Sequence, residues 1–147
     1  MIRAATTVDL PMVRACAVDA YGKYVERIGK KPAPMVADFD EIQSRGDLFV
    51  ADSDGAIIGF VVFYPKDGAM HLENVAVARN VHGTGVGSRL IAFAEACARE
   101  RGFDKIELYT NEKMFENFSY YESKGYAEIG RCEEDGFNRV FYRKVLA

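Results

Sequence analysis

The segment Val75-Ala76-Val77-Ala78-Arg79-Asn80-Val81-His82-Gly83-Thr84-Gly85-Val86-Gly87-Ser88-Arg89-Leu90 carries the clearest chemistry in the chain. Three glycines alternate between an apolar run and an amphipathic one. Glycine lets the backbone approach a ligand closely and take conformations closed to other residues. A helix starting just beyond offers unpaired N–H groups and the positive end of its dipole. Together they form an anion site suited to a pyrophosphate. Two familiar phosphate motifs fit poorly. A P-loop needs Gly-Lys-Ser/Thr after its second glycine, and none follows. A dinucleotide fingerprint needs glycine where Ser88 stands, and its unit should open a sheet instead of following three other strands. A glycine-rich connection without a ligand is the plain alternative.

The elements around the loop can be read from periodicity. Ile2 to Ala4 is a short extended piece, and Asp9-Leu10-Pro11 reads as a helix start with a capping acid and a proline in the first turn. Val13, Cys16, Ala20, Tyr24 and Ile28 recur at helical spacing until Gly29-Lys30-Lys31-Pro32-Ala33-Pro34 breaks the pattern. A shorter helix is expected from about Asp38 to Ser44. Leu48 to Ala51, Ile57 to Tyr64 and Met70 to Val77 read as strands whose short connections make them antiparallel neighbours. The glycine loop then leads into a helix to about Arg101, with Val86, Leu90, Ala94 and Cys97 on its apolar face and Gly102 as its stop. Lys105 to Tyr109 completes a strand–helix–strand crossover with a parallel strand pair. A helix around Phe115 to Lys124 and two strands, Tyr126 to Cys132 and Arg139 to Val145, close the chain. The expected class is α/β with a mixed sheet, in one domain spanning 1–147.

Composition narrows the function classes. Hydrophobic residues make up 49% and charged residues 28% of the 147, the balance of a globular chain. No apolar run approaches the roughly 20 residues that span a bilayer, and the first residues lack the apolar core of a secretion signal, so a cytoplasmic protein without a membrane partner is expected. The net charge of −3, with both signs interleaved, argues against nucleic acid. Cys16, Cys97 and Cys132 form no CxxC, and with two histidines no metal site is expected; the thiols read as small packed apolar residues.

The loop and its surroundings resemble the GNAT superfamily of N-acetyltransferases. The family's signature is Gln/Arg-x-x-Gly-x-Gly/Ala directly after a strand patterned Leu-x-x-Val-Ala-Val. This chain has Leu72-Glu73-Asn74-Val75-Ala76-Val77 and then His82-Gly83-Thr84-Gly85-Val86-Gly87, with His82 in place of the usual Gln or Arg. Asn117-Phe118-Ser119-Tyr120-Tyr121-Glu122-Ser123-Lys124-Gly125-Tyr126 is similar to the family's Tyr-Glu-x-x-Gly-Phe ending. The resemblance covers nearly the whole chain. It implies a sheet whose central parallel strands splay apart to hold acetyl-CoA, with the pyrophosphate on Gly83, Thr84, Gly85, Val86, Gly87 and Ser88. The pantetheine arm would pair with the backbone of Val75, Ala76 and Val77.

The implied reaction moves acetyl from acetyl-CoA to a primary amine by direct attack. An alkyl amine has a pKa near ~10.4, so a base is needed; Glu73, placed on one strand face with Val75 and Val77, is the candidate. A solvated strand carboxylate is its plain alternative. Tyr121 matches the family tyrosine that protonates the departing thiolate, and a backbone N–H near Val75 would hold the carbonyl oxygen. Many relatives carry a coenzyme-contacting Asn where Met114 stands; Asn117, one helical turn before Tyr121, or Asn111 would replace it. Tyr21, Tyr24, Met35 and Phe39 could line the acceptor side, although core is the expected place for each. A non-catalytic CoA-binding sensor is the alternative function, and a domain for another nucleotide is a third. The acceptor, a small-molecule or peptide amine, is not written in the sequence, and a homodimer is common in the family.

Overall fold

Tight polar turns set most of the topology. In the computed structural model, which describes residues 1–146, Asp54-Gly55, Asp67-Gly68 and Asp135-Gly136 each place two successive residues at positive φ. That conformation suits two-residue hairpins. The first joins β2 (Leu48–Ser53) to β3 (Ala56–Lys66), the second joins β3 to β4 (Ala69–Val77), and the third joins β6 (Ala127–Glu134) to β7 (Phe137–Val145). With β1 (Ile2–Ala4) and β5 (Lys105–Asn111) they make a seven-stranded mixed sheet, in the order β1-β2-β3-β4-β5-β7-β6. The mixed α/β class is as expected, and β4 and β5 are its one parallel pair.

Helices cover both faces. On one side α1 (Leu10–Tyr21) and α3 (Phe39–Ser44) bury Val13, Cys16, Ala17, Phe39 and Ile42 against Val50, Phe60 and Val62. On the other, α4 (Val86–Glu100) packs Leu90, Ile91, Ala94 and Ala98 against Val61, Phe63, Leu72 and Leu108. Removing this apolar area from water, at roughly 25 cal/mol per Å², fixes the tilt of α4 and hence the position of its N-terminus. The face runs through Ala98 and leaves Cys97 half-buried, one residue from the expected stripe. Two further short helices are α2 (Tyr24–Ile28) and α5 (Glu116–Ser123). None among the described residues is long and apolar enough to cross a membrane.

Three local expectations are corrected. The helical pattern from Val13 to Ile28 is interrupted at Gly22, a weak helix former, so α1 and α2 are separate. Asp9 is not a simple capping acid. Its Oδ2 accepts from the Thr6 N–H at 2.8 Å and from Arg3 Nη1 at 2.7 Å, tying β1 to the first helix. Of the thiols only Cys16 is buried; Cys132 is exposed on the edge strand β6.

The Asp9 arrangement has a measurable consequence. The Arg3 hydrogen bonds, against the opposing effect of burial, hold the Asp9 carboxyl well below the usual carboxylate range. Its contribution to stability is therefore full above the unfolded pKa of about 3.9 and is lost as pH falls toward the folded value. The thermal midpoint should fall on acidification below about pH 4, and Asp9→Asn should fall less steeply there while starting lower at neutral pH.

Candidate active site

Two irregularities in β4 create the site. The first is a bulge: Val62 pairs with Asn74 and Phe63 with Leu72, so Glu73 is an extra residue without an opposite partner. The bulge resets the alternation of side chains. Glu73 therefore lies on the Tyr64, His71 and Tyr109 side, whereas Val75 packs with the opposite cluster beneath α4. The expectation that Glu73 shares a face with Val75 and Val77 fails for this reason.

The second is a splay. β4 and β5 pair only at Met70–Leu72 with Ile106–Leu108, and the remainder of both strands diverges. Ala78 N–H donates to the Ile58 carbonyl on β3. Strand alternation then turns the peptide groups of Val75 and Val77 away from β3, into the gap. Tyr21 Oη donates to Asn74 Oδ1 at 2.6 Å and stands 2.9 Å from the Val75 carbonyl oxygen. His82 Nε2 lies 3.2 Å from the Val77 carbonyl, so His82 reaches back to the strand end. The gap opens into a cleft of about 520 Å³ whose walls include every residue from Leu72 to Val77, the glycine loop and the first turn of α4.

The loop presents donors to the upper end of this cleft. Gly83 and Gly85 have φ of 80° and 89°, a region that side-chain-bearing residues rarely adopt. Gly85 caps α4, and among the described residues the N–H groups of Gly85, Val86, Gly87 and Ser88 have no backbone acceptor. Gly87 serves differently: a Cβ there would meet Tyr120 Oη at 3.0 Å and Val77 Cγ2 at 3.4 Å. Lys124 Nζ donates to Ser88 Oγ at 2.6 Å and adds a cation beside these donors. Thr84 instead turns inward, its hydroxyl donating to the Val81 carbonyl at 2.5 Å. Donors, dipole and ammonium fit a pyrophosphate group, and the outward peptides of Val75 and Val77 fit an amide-bearing arm.

This geometry has counterparts among known proteins. A family model described as the acetyltransferase (GNAT) family matches residues 15–126. The chain belongs to the GNAT family. It is 25% identical over 108 residues to YvbK of Bacillus subtilis, an uncharacterized N-acetyltransferase, covering 73% of this chain and 69% of that protein. The PaiA N-acetyltransferase of Thermoplasma acidophilum, solved in complex with coenzyme A, superposes with a TM-score of 0.78 at 17% identity, covering 99% of this chain and 98% of that one. The ribosomal-protein-alanine N-acetyltransferase of Brucella melitensis gives a TM-score of 0.73 at 25% identity, with 99% of both chains covered.

The remaining candidate residues of this GNAT chain converge on the same cleft. Tyr121 is buried on α5, edge-on to Tyr120 and Tyr126, and lines the cleft. Burial first, and the neighbouring Tyr120 and Tyr24 second, push its phenol above the ordinary tyrosine range. It stays protonated at neutral pH. Glu73 accepts at Oε2 from Tyr64 at 3.0 Å and His71 at 2.5 Å, and at Oε1 from Tyr109 at 3.2 Å. Burial works to raise its pKa, but the bonds and charge of His71 with the two phenols outweigh it and keep the carboxylate ionised. Asn117 Nδ2 donates to Thr110 Oγ1 at 3.2 Å on the cleft wall, while Asn111 spends its oxygen on the Lys113 N–H of its own turn.

On the acceptor side Tyr21 and Tyr24 line the cleft, whereas Phe39 belongs to the core beneath α1. Sequence reading passed over His71, Tyr109, Lys124 and Arg139. A signal existed for some of them. His71, Glu73 and Asn74 interrupt an otherwise apolar strand, whereas Arg139 shares β7 with Asn138, Arg143 and Lys144 and carries no such signal. Polar groups inside strands with apolar neighbours must find partners or line a cavity.

Proposed function

We propose that this chain transfers the acetyl group of acetyl-CoA to a primary amine by direct attack. The observation that supports it best is the continuity of outward Val75 and Val77 peptides with the free N–H groups at the start of α4, along one cleft. A pyrophosphate on the loop sends the pantetheine arm down the gap in β4–β5, toward the point where pairing resumes at Leu72 and Leu108. The thioester then lies between Tyr121 and the Val75 N–H, with Glu73 on the acceptor side.

The chemistry follows from the groups present. Glu73, held as an anion, draws the acceptor's ammonium and passes one of its protons to water. The neutral nitrogen attacks the thioester carbon, and the Val75 N–H supports the negative charge developing on oxygen. As the C–S bond breaks, its electron pair stays on sulfur and Tyr121 supplies the proton. The second proton of the new amide nitrogen leaves through Glu73 and replenishes Tyr121 by way of solvent. No cysteine lines the cleft among the described residues, which leaves direct transfer without a thiol intermediate.

Thermal unfolding of the purified chain with acetyl-CoA, CoA, ATP and NAD tests the reading. A ligand at about 100 times its Kd stabilises by roughly 2.7 kcal/mol, a rise of about 5–11 °C for a domain of this size. Acetyl-CoA and CoA should each give such a rise, and ATP and NAD should not. Equal shifts with ATP, or none with either CoA species at millimolar concentration, would refute it.

A further inference from the structure

Given the acetyl transfer proposed above, the charges along the acceptor half of the cleft point to a substrate class. Among the described residues the only acid lining the cleft is Glu73, and three donors already occupy its oxygens. Two cations, Lys23 and Arg139, share the walls with it. Arg139 rises from β7 with its side chain only 9% exposed and its guanidinium 4.2 Å over the ring of Tyr109. Nη1 donates to Glu134 at 3.1 Å, with the exposed Asp135 at 3.8 Å. Among the described residues Nε and Nη2 have no acceptor, and no buried side-chain nitrogen is left without one, so these two donors are open to solvent.

Tyr109 therefore joins a cation to an anion: guanidinium on its face, Glu73 carboxylate at its hydroxyl. We propose that the acceptor is a small amine that also carries a carboxylate. Its ammonium faces Glu73, and its carboxylate takes the side-on fork of Arg139 Nε and Nη2. A planar guanidinium matches a carboxylate with two parallel hydrogen bonds. Tyr24, Pro34 and Phe137 form apolar walls for whatever lies between the two charged ends. A polyamine would meet two cations and a carboxylate whose lone pairs are mostly taken. The carboxylate itself is unchanged in the reaction: the N–C bond forms, the C–S bond breaks, sulfur gains one proton and water the other.

The test is thiol release from acetyl-CoA with the common α-amino acids, β-alanine and 4-aminobutyrate, with spermidine, and with the primary amide of each accepted acid as its neutral counterpart. At least one free acid should be accepted, with kcat/KM about 10- to 100-fold above that of its own amide, the worth of a charge-assisted pair. In Arg139→Gln that preference should collapse toward unity through KM, and Arg139→Lys should keep part of it. Preference for spermidine or an amide overturns the proposal. So does a preference untouched by Arg139→Gln, or the absence of any accepted acid while acetyl-CoA still raises the thermal midpoint. A chain whose midpoint acetyl-CoA does not move refutes the acetyl-transfer reading instead.

Discussion

Replacing Gly85 by valine should weaken acetyl-CoA binding by about 100-fold or more while lowering the thermal midpoint only slightly. The reason is conformational. Gly85 sits at φ 89° at the head of α4, and a Cβ there would touch nothing nearer than Arg89 Nη1 at 4.0 Å. Space is available, but a β-branched residue in that region costs on the order of 1–3 kcal/mol. The loop can relieve this by turning the peptide, which swings the donors of Gly85 and Val86 away from the cleft. Two charge-assisted bonds are then lost, each worth about 1.5–3 kcal/mol. The sequence alone places Gly85 and Gly87 in the loop without distinguishing them. The structure separates them: Gly87→Ala meets the hydroxyl tip of Tyr120, which can move, and its effect should be about tenfold or less. Isothermal titration of the two variants reads the difference, and normal affinity in Gly85→Val would remove the phosphate from this loop.

The contrast between those glycines shows what a sequence conveys. Hydrophobic period and turn chemistry expose the strands, the crossover helix and its glycine start, because each depends on residues close in the chain. The splay between β4 and β5 is not local. It arises because the pairing of Met70–Leu72 with Ile106–Leu108 stops while α4 keeps the two strands bound to one core. The bulge at Glu73 is equally hidden, since it exists only relative to β3. Without it a period of two puts His71, Glu73 and Val75 on one face; with it, Glu73 stays with His71 and Tyr64 while Val75 crosses to the other face. Arg139 meets Tyr109 only because β7 inserts between β5 and β6. No spacing in the chain marks that neighbour.

Tyr121→Phe should lower kcat by about 100- to 1000-fold, the range expected for loss of a positioned proton donor, and leave the Kd for acetyl-CoA nearly unchanged. The fold gives this variant unusual clarity. Among the described residues the Tyr121 hydroxyl has no hydrogen-bond partner, yet no buried polar side-chain atom is orphaned, so the hydroxyl must open onto the cleft. Phenylalanine keeps the ring contacts with Tyr120, Tyr126 and Tyr142 and removes nothing that holds the chain together. The thermal midpoint should therefore stay level, which separates a chemical role from a structural one. The pH dependence gives a second readout. Burial raises the Tyr121 phenol, so the donor remains protonated throughout the range where the amine loses its proton. The rate should climb with pH as acceptor nitrogen is freed, with no decline from Tyr121 below about pH 10. A falling limb near neutrality that disappears in Tyr121→Phe would contradict the raised phenol, and full turnover in the variant would assign the proton to another group.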